Sequence, residues 1–201
     1  MYMASAVDLQ GCPPGDQPEI AIVGRSNAGK STLINGIASS KIALTSATPG
    51  KTRMLNFYSA PRYRLVDMPG YGFAARTGDE QVSWQEMIEP YLAARENLEG
   101  LIIVMDIRRE WSRDEVNLLK WISPRELSAI VVLTKADKLS RGDAINRARK
   151  IQRDSGVEHV LITSSLAKQG FQELEDVMFQ TFIKPTEFDE SDDSADSEDP
   201  A

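Results

Sequence analysis

An α/β domain, built on a six-stranded, mostly parallel sheet with one antiparallel strand and helices on both faces, is predicted by three observations. Short apolar runs alternate with amphipathic stretches along the chain, the alternation that a parallel sheet covered by helices requires. Two of those runs are separated only by Ser59-Ala60-Pro61-Arg62, too short for a crossover helix, so that pair must be an antiparallel hairpin. The first run leads straight into a glycine-bearing turn and then a helix-like segment, the order in which a strand, a loop and a helix cradle an anion.

In chain order the strands are expected near Glu19 to Val23, Met54 to Tyr58, Tyr63 to Asp67, Leu101 to Asp106, Ala129 to Leu133 and Val160 to Ile162. Helices are expected between them, near Lys30 to Ser39, Val82 to Glu96, Asp114 to Ile122, Arg141 to Asp154 and Phe171 to Phe182. The 201 residues divide into a flexible leader (1–17), one domain (18–184) and a disordered acidic tail (185–201). The net charge of −7 misdescribes the body, because Glu187 to Ala201 holds eight acids and no base; without it, 22 acids face 23 bases. Such a segment cannot bury enough apolar surface to fold.

No apolar run approaches the roughly 20 residues that span a bilayer, and Met1 to Pro18 lacks a signal-peptide layout; the expected location is cytoplasmic. With Cys12 as the only cysteine and His159 as the only histidine, an intrachain disulfide, a cysteine-based zinc site and histidine-centred hydrolysis are all disfavoured. Cys12 is expected to be inert and His159 to sit near the start of a strand. Trp84, Trp111 and Trp121 are expected to pack in the core or between helices.

The chemistry concentrates at the predicted carboxyl ends of strands, where ligands sit in open α/β sheets. Gly24-Arg25-Ser26-Asn27-Ala28-Gly29-Lys30-Ser31 reads as a phosphate-binding loop: its backbone N–H groups turn toward phosphate oxygens, Lys30 reaches the β- and γ-phosphates, and Ser31 offers a hydroxyl to Mg²⁺. Past the third strand, Asp67-Met68-Pro69-Gly70 places a carboxylate to hold Mg²⁺ through water and an unobstructed Gly70 N–H for a γ-phosphate. Past the fifth, Thr134-Lys135-Ala136-Asp137 selects the base. The Asp137 carboxylate can accept both N1–H and N2–H₂ of guanine, and adenine offers neither. A site of that kind can reject the wrong ligand by about 10⁴. Lys135 would lay its stem along the purine, and Ser164-Ser165-Leu166 would support guanine O6 through backbone N–H groups. Between the first helix and second strand, Thr45 to Thr52 can fold over the γ-phosphate; Thr52 is the first choice for a metal ligand there and Thr48 the second.

Together with Leu-Asn-Phe-Tyr, Pro-Gly-Tyr-Gly-Phe-Ala and Met-Asp-Ile-Arg-Arg, these motifs resemble the EngB (YihA/YsxC) family of bacterial GTPases over about Pro18 to Lys184. The resemblance implies a P-loop GTPase domain and a role in assembling the large (50S) ribosomal subunit, with rRNA and ribosomal proteins as partners. GTP/GDP contacts would fall on Gly24 to Ser31, on Gly50, Lys51, Thr52, Arg53 and Met54, on Asp67 to Gly70, on Thr134 to Asp137 and on Ser164 to Leu166, with Mg²⁺ on Ser31 and Thr52. A monomer with no DNA partner is expected. A GTP-dependent interaction protein of cell division (septation), with little or no hydrolysis, is the alternative.

Lys30, Asn27 and Thr52 are the candidate catalytic residues. Many GTPases orient the attacking water with a glutamine where this chain has Tyr71, and a phenol ring cannot do so as an amide does, so slow intrinsic hydrolysis awaiting a partner is expected. In similar GTPases the residue at Asn27 can hold K⁺. Arg108, Arg109 and Arg113 form one candidate RNA-facing cluster, and Arg147, Arg149, Lys150 and Arg153 another.

Overall fold

In the computed structural model the described residues are 1–43, 54–71 and 78–183, the side chains of 78–85 excepted. The strands are β1 (Tyr2–Ala6), β2 (Glu19–Gly24), β3 (Leu55–Ser59), β4 (Arg64–Asp67), β5 (Leu98–Asp106), β6 (Ser128–Thr134) and β7 (His159–Ile162). The helices are α1 (Lys30–Ile37), α2 (Gly78–Ala94), α3 (Arg113–Ile122), α4 (Arg141–Ser155) and α5 (Phe171–Phe182). They form one sheet in the order β1-β3-β4-β2-β5-β6-β7. Only β3 runs against the others, because it pairs antiparallel with both β1 and β4 while β4, β2, β5, β6 and β7 pair in parallel.

The alternation of β2 shows how the layers are made. Ile20 and Ile22 face one core, with Leu33 and Ile34 of α1 and Leu174, Met178 and Phe182 of α5. Ala21 and Val23 face the other, with Ile88, Tyr91 and Leu92 of α2, Leu118 and Ile122 of α3, and Ile151 of α4. A strand covered on both faces reads as a nearly continuous apolar run, and all six β2 residues are buried, the opening Glu19 included. The expected class therefore stands, and His159 does open a strand. Trp111 and Trp121 pack part-buried against the second of these cores.

Among the described residues seven strands replace the six expected. The addition is β1, in the segment read as a flexible leader. It pairs with β3 from Ala6↔Leu55 out to Tyr2↔Tyr58, and Ser5 Oγ donates to Asn56 Oδ1 at 2.6 Å. Its sequence signal is weak because it is an edge strand: Tyr2 and Met3 stay exposed and only Ala6 is buried. The remainder of the leader is held by side chains of the domain. Arg95 donates to the Pro13 carbonyl at 2.6 Å, Arg64 to the Pro14 carbonyl at 2.5 Å, and Asn97 to the Gln17 carbonyl at 2.6 Å. The acidic tail and Lys184 lie outside the described residues.

Candidate functional site

The carboxyl ends of β2, β4, β5, β6 and β7 bring Gly24, Asp67, Asp106, Thr134 and the Ser164 turn to one edge of the sheet. Two glycines shape the loop from Gly24 to Ser31. A Cβ on Gly24 would lie 2.4 Å from the Val104 carbonyl oxygen, and Gly29, at φ 103°, occupies the left-handed region that costs other residues. Asn27 also has positive φ, 63°, and is exposed at the tip of the loop. Lys30 and Ser31 open α1, so the first amides of that helix face the loop as an anion site needs.

Neighbouring motifs hold this loop from both sides. Thr134 Oγ1 donates to the Ala28 carbonyl at 2.5 Å and can also reach the Met105 carbonyl at 3.1 Å. Lys135 Nζ donates to the Asn27 carbonyl at 2.8 Å and pairs with Asp106 at 3.1 Å. Ser26 N–H donates to the Tyr71 carbonyl at 3.2 Å, and Arg25 forms a parallel bridge with Tyr71. The segment expected to select the base and the residue after Gly70 thus both touch the Gly24–Ser31 loop.

Asp67 closes β4, 3% exposed, and its Oδ1 has no hydrogen-bond partner among the described residues. Burial raises its pKa to about 6, against the opposing charge of Lys30. A buried carboxylate oxygen without a donor costs free energy that a cation would recover. The hydroxyl of Ser31 and this carboxylate are hard oxygen donors of the kind Mg²⁺ takes, so these residues fit the metal. Thr52, the third expected ligand, lies outside the described residues, as do Thr48, Gly50, Lys51 and Arg53. Met54 is 41% exposed, one residue ahead of β3.

Asp137 and Ser164, expected from separate motifs to share one ligand, are in direct contact. Ser164 Oγ donates to Asp137 Oδ1 at 2.8 Å, and this bond more than any other influence holds the carboxyl below its ordinary range. Backbone joins the same segments, Ala136 N–H to the Thr163 carbonyl at 3.2 Å. Lys135, at φ 59°, turns the chain from the end of β6 into the short helical turn that carries Asp137. A cavity of about 60 Å³ between Gly29, Lys135 and Ser165 opens beside these groups. Leu166 points away from burial, 79% exposed.

Asp106 was not singled out in the sequence, although it ends a strand just as Asp67 does. The fork of Arg108 (2.9 and 2.6 Å), helped by Lys135, outweighs burial and keeps its carboxyl well below the usual range. Glu115 was missed as well. It is 1% exposed and takes the Tyr71 hydroxyl at 2.6 Å. Tyr71 therefore does not occupy the exposed place where a glutamine would orient water: it is 4% exposed, and burial with the nearby Glu115 charge raises its pKa well above the ordinary value. The two expected basic clusters are joined, because Glu110 accepts from both Arg147 and Lys150.

Comparison with known proteins agrees with this geometry. A family model described as 50S ribosome-binding GTPase matches residues 19–135. The "Probable GTP-binding protein EngB" of Bdellovibrio bacteriovorus is 48% identical over 184 residues, 91% of this chain and 92% of that protein. Among solved structures, a probable GTP-binding protein engB superposes with a TM-score of 0.67 at 22% identity, over 81% of this chain and 97% of that one. Era in complex with MgGDPNP and nucleotides 1506–1542 of 16S ribosomal RNA superposes with a TM-score of 0.68 at 22% identity, over 84% of this chain and 58% of that chain. At those identities the structures speak for the P-loop GTPase fold, while the sequence matches go further: the chain belongs to the EngB family of GTP-binding proteins.

Proposed function

We propose that this chain binds GTP and GDP with Mg²⁺, hydrolyses GTP slowly, and acts as a molecular switch in assembly of the large (50S) ribosomal subunit. The observation that carries the nucleotide reading is Asp137, a carboxylate positioned by the Ser164 hydroxyl at 2.8 Å in the turn that follows β6. A carboxylate so placed matches the N1–H and N2–H₂ donors of guanine and would be left unpaired by adenine. The ribosomal reading is supported by the description of the matching family model and by a fold neighbour solved with ribosomal RNA.

In this reading Lys30 and the amides opening α1 bind the phosphates, the Gly70 N–H meets the γ-phosphate, and Lys135 lines the purine. Ser31 and Thr52, with Asp67 through water, hold Mg²⁺, which when bound offsets charge on the phosphates. Tyr71, turned onto Glu115, supplies no amide to orient water, which favours slow turnover until a partner completes the site. Isolated protein turning over on the order of tens per second would contradict this. Asn27, exposed on the loop, is the residue through which K⁺ would act; equal rates in KCl and NaCl, with none changed by Asn27→Ala, would remove that element.

The deciding measurement is sedimentation with purified ribosomal subunits in GDP, GTP and a non-hydrolysable GTP analogue. Large subunits should carry the protein down with the analogue and release it with GDP. Sedimentation indifferent to nucleotide would overturn the switch, and retention of ATP as well as GTP would overturn the guanine site.

A further inference from the structure

Both acidic residues in the first turn of α3 are tied to the nucleotide site. Arg25, inside the phosphate loop, donates to Asp114 Oδ2 at 2.6 Å. Tyr71, one bond beyond Gly70, donates to Glu115 Oε1 at 2.6 Å. The other oxygen of Glu115 takes the backbone N–H of Ser112 at 2.9 Å and its hydroxyl at 2.5 Å, so the carboxylate that receives Tyr71 is also the one that fastens the start of α3. Glu115 is almost fully buried. Losing the tyrosine donor would leave a desolvated oxygen short of a partner, and the cap would have to readjust.

The segment ahead of α3 has room and reason to move. A cavity of about 220 Å³ separates it from the phosphate loop, lined among others by Arg25, Asn27, Asp106, Arg108 and Glu115. In the same segment the buried Trp111 indole nitrogen has no hydrogen-bond partner among the described residues, a cost that a rearrangement of the segment could relieve. Outward it presents Arg108, Arg109 and Arg113, all exposed, with Arg147 and Lys150 drawn alongside through Glu110.

We infer that the Arg108–Arg113 segment and the first turn of α3 form a nucleotide-responsive docking surface for an RNA phosphate backbone, set by the Tyr71–Glu115 and Arg25–Asp114 contacts. This rests on the GTP-switch reading above. Without a γ-phosphate, Tyr71 stays on Glu115 and the cap is closed. A γ-phosphate that draws the Gly70 N–H toward itself displaces Tyr71 with it, the cap loosens, and Arg109 and Arg113, which flank the cap, are freed to rearrange around phosphates. Contacts to phosphate are read as charge, so the exposed Arg109 and Arg113, with Arg108 held on Asp106 beside them, suit a nucleic-acid backbone better than a defined peptide.

Hydrogen–deuterium exchange on the full chain with Mg²⁺ and either GDP or a non-hydrolysable GTP analogue tests the coupling. Amides 112–116 should exchange about tenfold faster with the analogue, the size expected from one charge-assisted hydrogen bond, and Tyr71→Phe should abolish the difference. Amides 24–31 report nucleotide occupancy independently. If they gain no protection from either nucleotide, the GTP reading fails. If they are protected while 112–116 are unaffected or slowed by the analogue, or if the difference survives in Tyr71→Phe, the coupling alone is wrong. The wild-type comparison needs no variant to fold. For the docking surface, naked large-subunit rRNA is titrated at several salt concentrations. Arg109→Glu with Arg113→Glu should weaken binding by about tenfold or more and lower the salt slope by about 2. Unchanged affinity and slope would overturn it.

Discussion

Each end of the sheet buries a carboxylate, and the two are treated in opposite ways. At the amino ends of β2, β4 and β5, Glu19 is fully buried but receives the Tyr91 hydroxyl at 2.7 Å and Arg95 at 2.9 and 2.7 Å, with Arg64 at 3.8 Å. Arg64 leaves its Nε unmatched, yet both its terminal nitrogens are engaged by Pro14 and Asp16. At the carboxyl ends, Asp67 is nearly as buried and keeps one oxygen without a partner among the described residues. A buried carboxylate with both oxygens partnered rigidifies the fold, and one with an oxygen left open is poised for a ligand, so Glu19 reads as architecture and Asp67 as part of a site.

The sharpest way to break that contrast is at Asp137, where the expected effect is largest. Asp137→Ala should reduce the preference for GTP over ATP from about 10⁴ toward parity, while the urea midpoint stays near wild type, because among the described residues the side chain is tied to Ser164 and Lys138 at the surface. Competitive binding of labelled GDP against GTP and ATP measures it. Discrimination that survives would place base selection elsewhere.

Next in size is Glu19→Gln, the converse test. The amide keeps the volume but strands Arg95 beside a group that no longer balances its charge, a loss of about 3–5 kcal/mol of the kind seen when one partner of a buried pair is removed. Chemical denaturation should register it, and the fraction that remains folded should bind GDP as wild type does. A variant of normal stability and weakened affinity would reverse the assignment of the two ends.

Asp67→Asn sharpens the contrast from the other side. In metal-free, nucleotide-free protein near neutral pH the neutral amide relieves the desolvation of an ionised carboxyl, so stability should rise by about 1–2 kcal/mol. Affinity for nucleotide in Mg²⁺ should fall at the same time. A lower urea midpoint would mean that the orphaned oxygen has a structural partner after all.

The site was more legible than the fold at its margins. Gly29, Lys30, Asp67 and Asp137 could be placed at strand ends because the motifs that contain them fix residue type and spacing along the chain, and most strands could be read because two-sided burial leaves an unbroken apolar run. β1 was not, since an edge strand of Tyr2, Met3, Ala4, Ser5 and Ala6 has little apolar periodicity and depends on pairing with β3. Glu115 and Asp106 escaped for a related reason. A Glu three residues after Ser112 looks like an ordinary helix cap, and its second bond comes from Tyr71, 44 positions away. Asp106 sat in a quoted motif, but its role beside Lys135 depends on β5 and β6 pairing in register at Asp106↔Thr134, which no local pattern states.

The smallest expected effect separates the serine from the aspartate it serves. Ser164→Ala removes the donor that most lowers the Asp137 pKa, so GDP affinity should fall only about fivefold near neutral pH, the effect of losing one hydrogen bond. The pH dependence should show more. The ionised carboxyl is the form that accepts from guanine, and in the wild type its pKa lies below the ordinary 3.8, so binding persists as the medium is acidified toward that value. Without Ser164 the pKa rises and protonation begins earlier, so the ratio of wild-type to variant affinity should widen as pH falls from about 5 toward 4. Titrating GDP binding across that window, with folding checked by circular dichroism at each point, measures the ratio. A constant ratio would show that Ser164 orients Asp137 without tuning its charge, and the contact would then belong with the completed networks of the opposite end.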